Sequence, residues 1–147
     1  MQTQKDKQKR GQSGERLITD ALAKLQLWNH KLVNYGFGTV FDKIVIPPAG
    51  GYALEIKVRQ IPRIAHNPKS ITNNEVKGLE KFYRLVGQDN AFIIGIWKDE
   101  SNYKAYLIPW GTVREQVISR VRGSIKMQDF PVIKETNSAI NLLCLGR

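Results

Sequence analysis

Hydrophobic positions along this chain change period several times, and each change marks an element. Leu17, Ile18, Ala21, Leu22 and Leu25 recur at intervals that repeat on one side of a helix. Ser13 stands just ahead of them, where a hydroxyl can cap free N–H groups, so a helix is expected to begin near Ser13. Residues 28–41 read as a short connection with room for one strand, bent at Gly36 and Gly38. Residues 41–46 are a strand candidate. A clearer one is 52–59, where Tyr52, Leu54, Ile56 and Val58 alternate with Ala53, Glu55, Lys57 and Arg59. Between them the Pro-Pro-Ala-Gly-Gly segment at 47–51 supplies a turn. Residues 60–74, with Pro62 and Pro68, form a polar loop of a length that is more often functional than decorative. Val76, Leu79, Phe82, Tyr83 and Val86 predict a helix over 72–86, stopped at Gly87. The almost wholly apolar run at 91–97 predicts a strand covered on both faces. A further strand at 103–108, a short helix at 113–121 and a core-packing run at 140–145 complete the chain. The order helix, hairpin, helix, strand, strand, helix predicts an α/β domain built on a mixed β-sheet flanked by helices.

The length of 147 residues suits one domain with a real core. Charge changes the picture more than size does. Lys and Arg number 23 against 13 Asp and Glu, a net +10, and so large an excess points to a polyanionic partner, usually nucleic acid. Residues 1–13 hold Lys5, Lys7, Lys9 and Arg10 with almost nothing apolar. They are expected to form a flexible basic arm, either contacting phosphates or simply solvated, ahead of a single domain at 14–147. The single cysteine, Cys144, excludes an internal disulfide and a cysteine-based zinc site, and fits a reducing, cytoplasmic setting. It reads as a core residue. His30 and His66 have no neighbours at metal-ligand spacing and read as surface or structural. No segment approaches the roughly 20 apolar residues that span a bilayer, and the N-terminus has no apolar signal core, so no membrane role is expected. Trp28, Tyr83, Trp97 and Trp110 read as core or interface aromatics.

The hairpin carries the candidate chemistry. With a loop at 47–50, Ile46 opposes Gly51 and Asp42 falls opposite Glu55, and Lys57 shares their face because side chains repeat every second residue. A slip of one residue destroys the grouping. Like charges opposed across a strand pair are destabilising, so the two carboxylates need a cation. Oxygen ligands suit Mg2+ or Mn2+, which bind through one or two carboxylates plus substrate phosphate. Such an ion polarises a phosphoryl oxygen and lowers the pKa of bound water. Lys57 is then placed to orient or deprotonate the attacking water, or to stabilise the pentavalent phosphate. Glu15 lies beside the apolar stripe of the first helix and can hold a metal-bound water or a second ion; equally, it is an acid in a first helical turn. Arg59 continues the active face, and Arg63 and Lys69 follow in the loop, where each is either a phosphate contact or scattered surface charge. The residues alone leave two readings open for the hairpin: a catalytic site, or a cross-strand salt bridge on a solvated face.

Gly11-x-x-Gly14-Glu15-Arg16, then Asp42, then Glu55-Ile56-Lys57 resemble the PD-(D/E)XK nuclease superfamily, with Phe41 where the motif has proline. Within it the chain is most similar to Holliday junction resolvases of the RecU and archaeal Hjc type. The similarity runs from about Gly11 to Trp110 and includes Glu75, Gly87, Ala91 to Ile94 and Tyr106 to Pro109. It implies a restriction-endonuclease-like fold, with Glu15, Asp42, Glu55 and Lys57 at catalytic positions. Asp42, Glu55, the Ile56 carbonyl and Glu15 would be metal ligands for Mg2+ or Mn2+. Lys7, Arg10, Arg59, Arg63 and Lys69 would meet DNA. It further implies a homodimer that cuts symmetric strands of a four-way junction in a bacterial, archaeal or phage-infected cell. Two departures stand out. Residues 29–40 replace the long stalk of RecU enzymes, which makes the chain more Hjc-like in outline. Glu75 stands where those enzymes often carry glutamine. Two other functions fit the same residues: a restriction- or repair-type endonuclease on linear or nicked duplex, and a non-catalytic basic nucleic-acid-binding module. Acidic residues at 42 and 55 argue against the latter.

Overall fold

The structure, a computed structural model, describes residues 3–24, 28–31, 43–46, 52–86, 90–99 and 102–133. Asp42, Leu25, the turn at 47–51, Gly87 and the run at 140–145 with Cys144 lie outside the described residues. The elements are α1 (Gln4–Lys24), β1 (Trp28–Lys31), β2 (Lys43–Ile46), β3 (Tyr52–Arg59), β4 (Arg63–Ala65), α2 (Asn73–Leu85), β5 (Ala91–Asp99), β6 (Asn102–Pro109), α3 (Trp110–Ile118), β7 (Ser124–Lys126), a 3-10 turn (Met127–Asp129) and β8 (Val132–Ile133).

One mixed sheet runs in the order β1-β2-β3-β5-β6-β8, and β4 and β7 form a separate antiparallel pair. β3 and β5 are parallel, joined through α2; the other neighbours in the large sheet are antiparallel. The alternation of β3 sorts its side chains onto two faces. Tyr52, Leu54, Ile56 and Val58 join Phe92, Ile94 and Ile96 of β5 and Ile18 of α1 in one core layer. Ala91 and Ile93 of β5 face the other way, into a second layer with Leu79 of α2, Trp110, Val113 and Val117 of α3, and Met127. β5 is therefore apolar along its length because both its faces are covered.

Close approach of α1 to β3 depends on one glycine. A Cβ on Gly14 would lie 2.2 Å from Val58 Cγ2 and 3.2 Å from Ile96 Cδ1, whereas a Cβ on Gly11 would meet nothing within 4 Å.

Three sequence expectations need correction. The first helix begins at Gln4, well before Ser13, so the basic stretch is helical. Its cap is Thr3, whose Oγ1 accepts from the Asp6 amide at 3.1 Å while Asp6 Oδ2 accepts from the Thr3 amide at 3.1 Å. Ser13 lies mid-helix, and its hydroxyl donates to the Lys9 carbonyl at 3.0 Å. Second, the 60–74 segment is not merely a polar loop. It contains β4, and Ile64 and Ile71 are fully buried. Third, the last helix starts at Trp110, directly after Pro109, and stops at Ile118; Val113 and Val117 are buried but Val121 is exposed.

Candidate active site

β3 presents Ala53, Glu55, Lys57 and Arg59 on the face away from α1, aligned with Ala91, Ile93, Gly95 and Trp97 of β5. The hairpin register is the one expected: Lys43 pairs with Leu54, Ile44 with Ala53 and Val45 with Tyr52. Asp42, the next residue before β2, is outside the described set.

Glu55 and Lys57 sit two residues apart on the strand, and Lys57 Nζ lies 3.1 Å from Glu55 Oε1. A third group, which the sequence reading did not assign to the site, completes the cluster. Lys57 Nζ donates to both carboxylate oxygens of Glu75, 2.9 Å to Oε1. All three side chains are nearly withdrawn from water, with exposures of 5% for Glu55 and 12% for Lys57 and Glu75. Burial pushes the Lys57 pKa down, but Glu55 and Glu75 outweigh it and the net shift is upward. Lys57 is thus a fixed cation here, suited to stabilising negative charge rather than to taking a proton.

Glu75 reaches Lys57 because the start of α2 is held from several sides. Thr72 caps the helix, its Oγ1 accepting from the Glu75 amide at 3.3 Å. Arg120 donates to the carbonyls of His66 and Ile71, at 2.8 and 2.9 Å, and to Asn73 Oδ1 at 2.8 Å. His66 is buried and its Nδ1 lies 2.9 Å from the Val121 carbonyl, a structural role as expected. Asn67 Oδ1 accepts from the Lys69 and Ser70 amides, turning the chain toward the helix. Thr72-x-x-Glu75 was the available sequence signal, since it marks a helix start with an acid in the first turn.

Arg59 extends the same face. It donates to the Val58 carbonyl and to Ser70 Oγ, each at 2.9 Å. Burial pulls its pKa down, Glu75 pulls it up, Arg10 of α1 lowers it further, and Glu55 raises it; the net shift is downward. Arg10 and Arg59 are therefore electrostatic neighbours beside the Glu55–Lys57–Glu75 cluster. Lys7 is exposed on α1, Arg63 on β4 and Lys69 in the turn that follows. Glu15 is half-buried on α1, the helix that covers the opposite face of β3, and lines an open groove of about 590 Å³ with Lys9, Ser13, Arg16 and Asp20.

A second acidic centre is structural. Glu80 accepts from Arg114 Nε and Nη2 at 2.6 and 2.7 Å and from Trp110 Nε1 at 2.8 Å, fastening α2 to α3. The Arg114 guanidinium also lies over the Tyr83 ring at 4.9 Å. Trp110 is fully buried and Tyr83 and Trp97 are half-buried, as core aromatics should be.

A metal is implied by the hairpin chemistry, and the donors can be tested for fit. Glu55 offers hard carboxylate oxygens in a poorly solvated place on β3, and Glu75 takes Lys57 Nζ with both of its own oxygens. That suits a small divalent cation. Among the described residues no group of three or more His, Cys, Asp or Glu side chains gathers to hold an ion.

No protein-family model matches the chain, and no curated protein matches it. Among solved structures the chain resembles Hjc, a Holliday junction resolvase from the archaeal hyperthermophile Archaeoglobus fulgidus. The TM-score is 0.51 and the identity 16%, over 82% of this chain and 92% of that one. The likeness establishes the fold: a restriction-endonuclease-like mixed sheet flanked by helices. Among the described residues no helix is long and apolar enough to cross a membrane.

Proposed function

We propose that this protein is a metal-dependent, structure-specific DNA endonuclease that resolves four-way junctions by phosphodiester hydrolysis. The observation that carries the reading is the buried Glu55–Lys57 pair on β3, in a hairpin that keeps the expected register from Lys43 to Val45. Support also comes from the likeness of the fold to a solved Holliday junction resolvase and from the net charge of +10.

Asp42, Glu55 and the Ile56 carbonyl would hold Mg2+ or Mn2+, with Glu15 contributing through a bound water or at a second ion. When bound, such an ion supplies a Lewis acid for the phosphoryl oxygen and a more acidic water. The remaining work falls to the chain's own side chains. Lys57 keeps its positive charge beside Glu55 and offsets negative charge that builds on the phosphoryl oxygens. Arg10 and Arg59 hold a phosphate flanking the cut, and Lys7, Arg63 and Lys69 contact the backbone further out. A homodimer would carry two such sites and cut symmetric strands of the junction. The setting would be the cytoplasm of a bacterial, archaeal or phage-infected cell.

A synthetic four-way junction and a linear duplex of matching sequence, incubated with and without magnesium, test this reading. Magnesium-dependent paired nicks in the junction, with the duplex largely spared, are expected. Equal cutting of both would make the protein a restriction- or repair-type nuclease. Binding whose log affinity falls with log salt, with no product under any condition, would make it a non-catalytic module.

A further inference from the structure

We infer that Glu75 is a positioning residue: it is the seat that takes the Lys57 ammonium away from Glu55, freeing the Glu55 carboxylate for a divalent cation. The inference rests on the proposed function only in taking Glu55 as a carboxylate that receives such a cation. Lys57 Nζ has three protons to donate and two carboxylates to receive them. It already leans to Glu75, touching both oxygens, the nearer contacts of the cluster, while Glu55 Oε1 is 3.1 Å away.

The mounting of Glu75 points the same way. Thr72-x-x-Glu75 has the pattern in which a glutamate folds back on the cap amide, yet here the carboxylate turns to Lys57. Its backbone is fixed by the Thr72 cap and by the bonds from Arg120 to Ile71 and Asn73. An incoming cation and the Lys57 ammonium would both lie against the one Glu55 carboxylate and repel each other. Glu75 supplies the second negative charge that lets Lys57 remain near the site while Glu55 turns to the cation. Without Glu75, Lys57 has Glu55 as its remaining partner in the cluster, and a divalent cation must compete with a tethered ammonium. Glu75 therefore sets how tightly the site takes the ion, by acting through Lys57.

Calorimetric titration of Mn2+ into the full chain without DNA tests this, for wild type, Glu75→Gln and Glu75→Asp, each with Lys57 and with Lys57→Met. Circular dichroism confirms that each variant is folded, and Glu75→Ala replaces Glu75→Gln should the latter not fold. With Lys57 present, Glu75→Gln is expected to weaken Mn2+ binding roughly tenfold or more, the usual effect of losing a group that orients a ligand. Glu75→Asp should restore most of the loss. With Lys57→Met, the Glu75→Gln effect should shrink to about twofold, within the error of additivity. Equal affinity of wild type and Glu75→Gln overturns the inference, as does a wild type that takes up no Mn2+. So does an undiminished loss in the Lys57→Met background, which would make Glu75 a ligand itself. Glu75-dependent Mn2+ binding by a protein that cuts no DNA would end the nuclease reading and leave this inference standing. Cleavage by a protein whose Mn2+ affinity ignores Glu75 would do the reverse.

Discussion

Replacing Lys57 with methionine keeps the stem of the side chain and removes only the charge, so it isolates the electrostatics of the cluster. Glu55 and Glu75 each lie about 3 Å from the same nitrogen, so their nearest oxygens are no more than about 6 Å apart. At an effective dielectric of about 20, two like charges at that separation repel by about 3 kcal/mol. The direct experience with broken buried pairs, about 3–5 kcal/mol, agrees. Exposures of 5% and 12% leave little water to screen the repulsion. For a chain of this length the loss should lower the melting temperature by about 6–12 °C. The assay is thermal unfolding followed by circular dichroism at neutral pH in chelator, checked against urea midpoints. Millimolar Mn2+ should return part of the loss, because it binds the folded state. Removing all three charges together, as Glu55→Gln, Lys57→Met and Glu75→Gln, should return most of it. A Lys57→Met protein that unfolds within about 1 kcal/mol of wild type would refute the reasoning, since the carboxylates would then not be uncompensated.

Two further outcomes follow from the packing. Gly14→Ala should cost about 1–3 kcal/mol in urea unfolding, because its Cβ would overlap Val58, whereas Gly11→Ala should be neutral or stabilise by about 0.4–1 kcal/mol. Glu80 should contribute to acid sensitivity. Hydrogen bonds from Arg114 hold its carboxyl below the ordinary value of 4.5, against the opposing effect of burial. A depressed folded-state pKa gives stability that is complete above the unfolded value of 4.5 and is lost as pH falls through the folded-state pKa. Wild type should therefore lose stability on acidification below 4.5 more steeply than Glu80→Gln, which removes the titration; parallel curves would contradict this.

The parts of the fold that announce themselves in the sequence are those whose periodicity is enforced by burial. β3 occupies the expected residues 52–59 because Tyr52, Leu54, Ile56 and Val58 pack into one core layer while Glu55, Lys57 and Arg59 take the other face. α2 runs from its Thr72 cap to Leu85, close to the expected span, and the hairpin register follows from the 47–51 spacing. Legibility fails where pairing is distant. β4 is three residues between prolines, and it becomes a strand by pairing with β7, some sixty residues later. The early start of α1 was hidden because its first turns are polar and exposed, with the signal confined to the Thr3 and Asp6 cap. The Lys57–Glu75 contact joins a strand to a helix across a connection that no periodicity describes. Glu55, Lys57 and Arg59 share a face by strand geometry alone, whereas the arrival of Glu75 needs the folded 60–74 segment, its Ile64 and Ile71 buried and its end clamped by Arg120.

Glu55 is proposed to work on DNA as a metal-dependent catalytic carboxylate. Junction cleavage and junction binding, measured side by side for wild type and Glu55→Ala in magnesium, test it most directly. Cleavage is expected to vanish in the variant while affinity for the junction stays close to wild type. A Glu55→Ala protein that cuts the junction at the wild-type rate would contradict it.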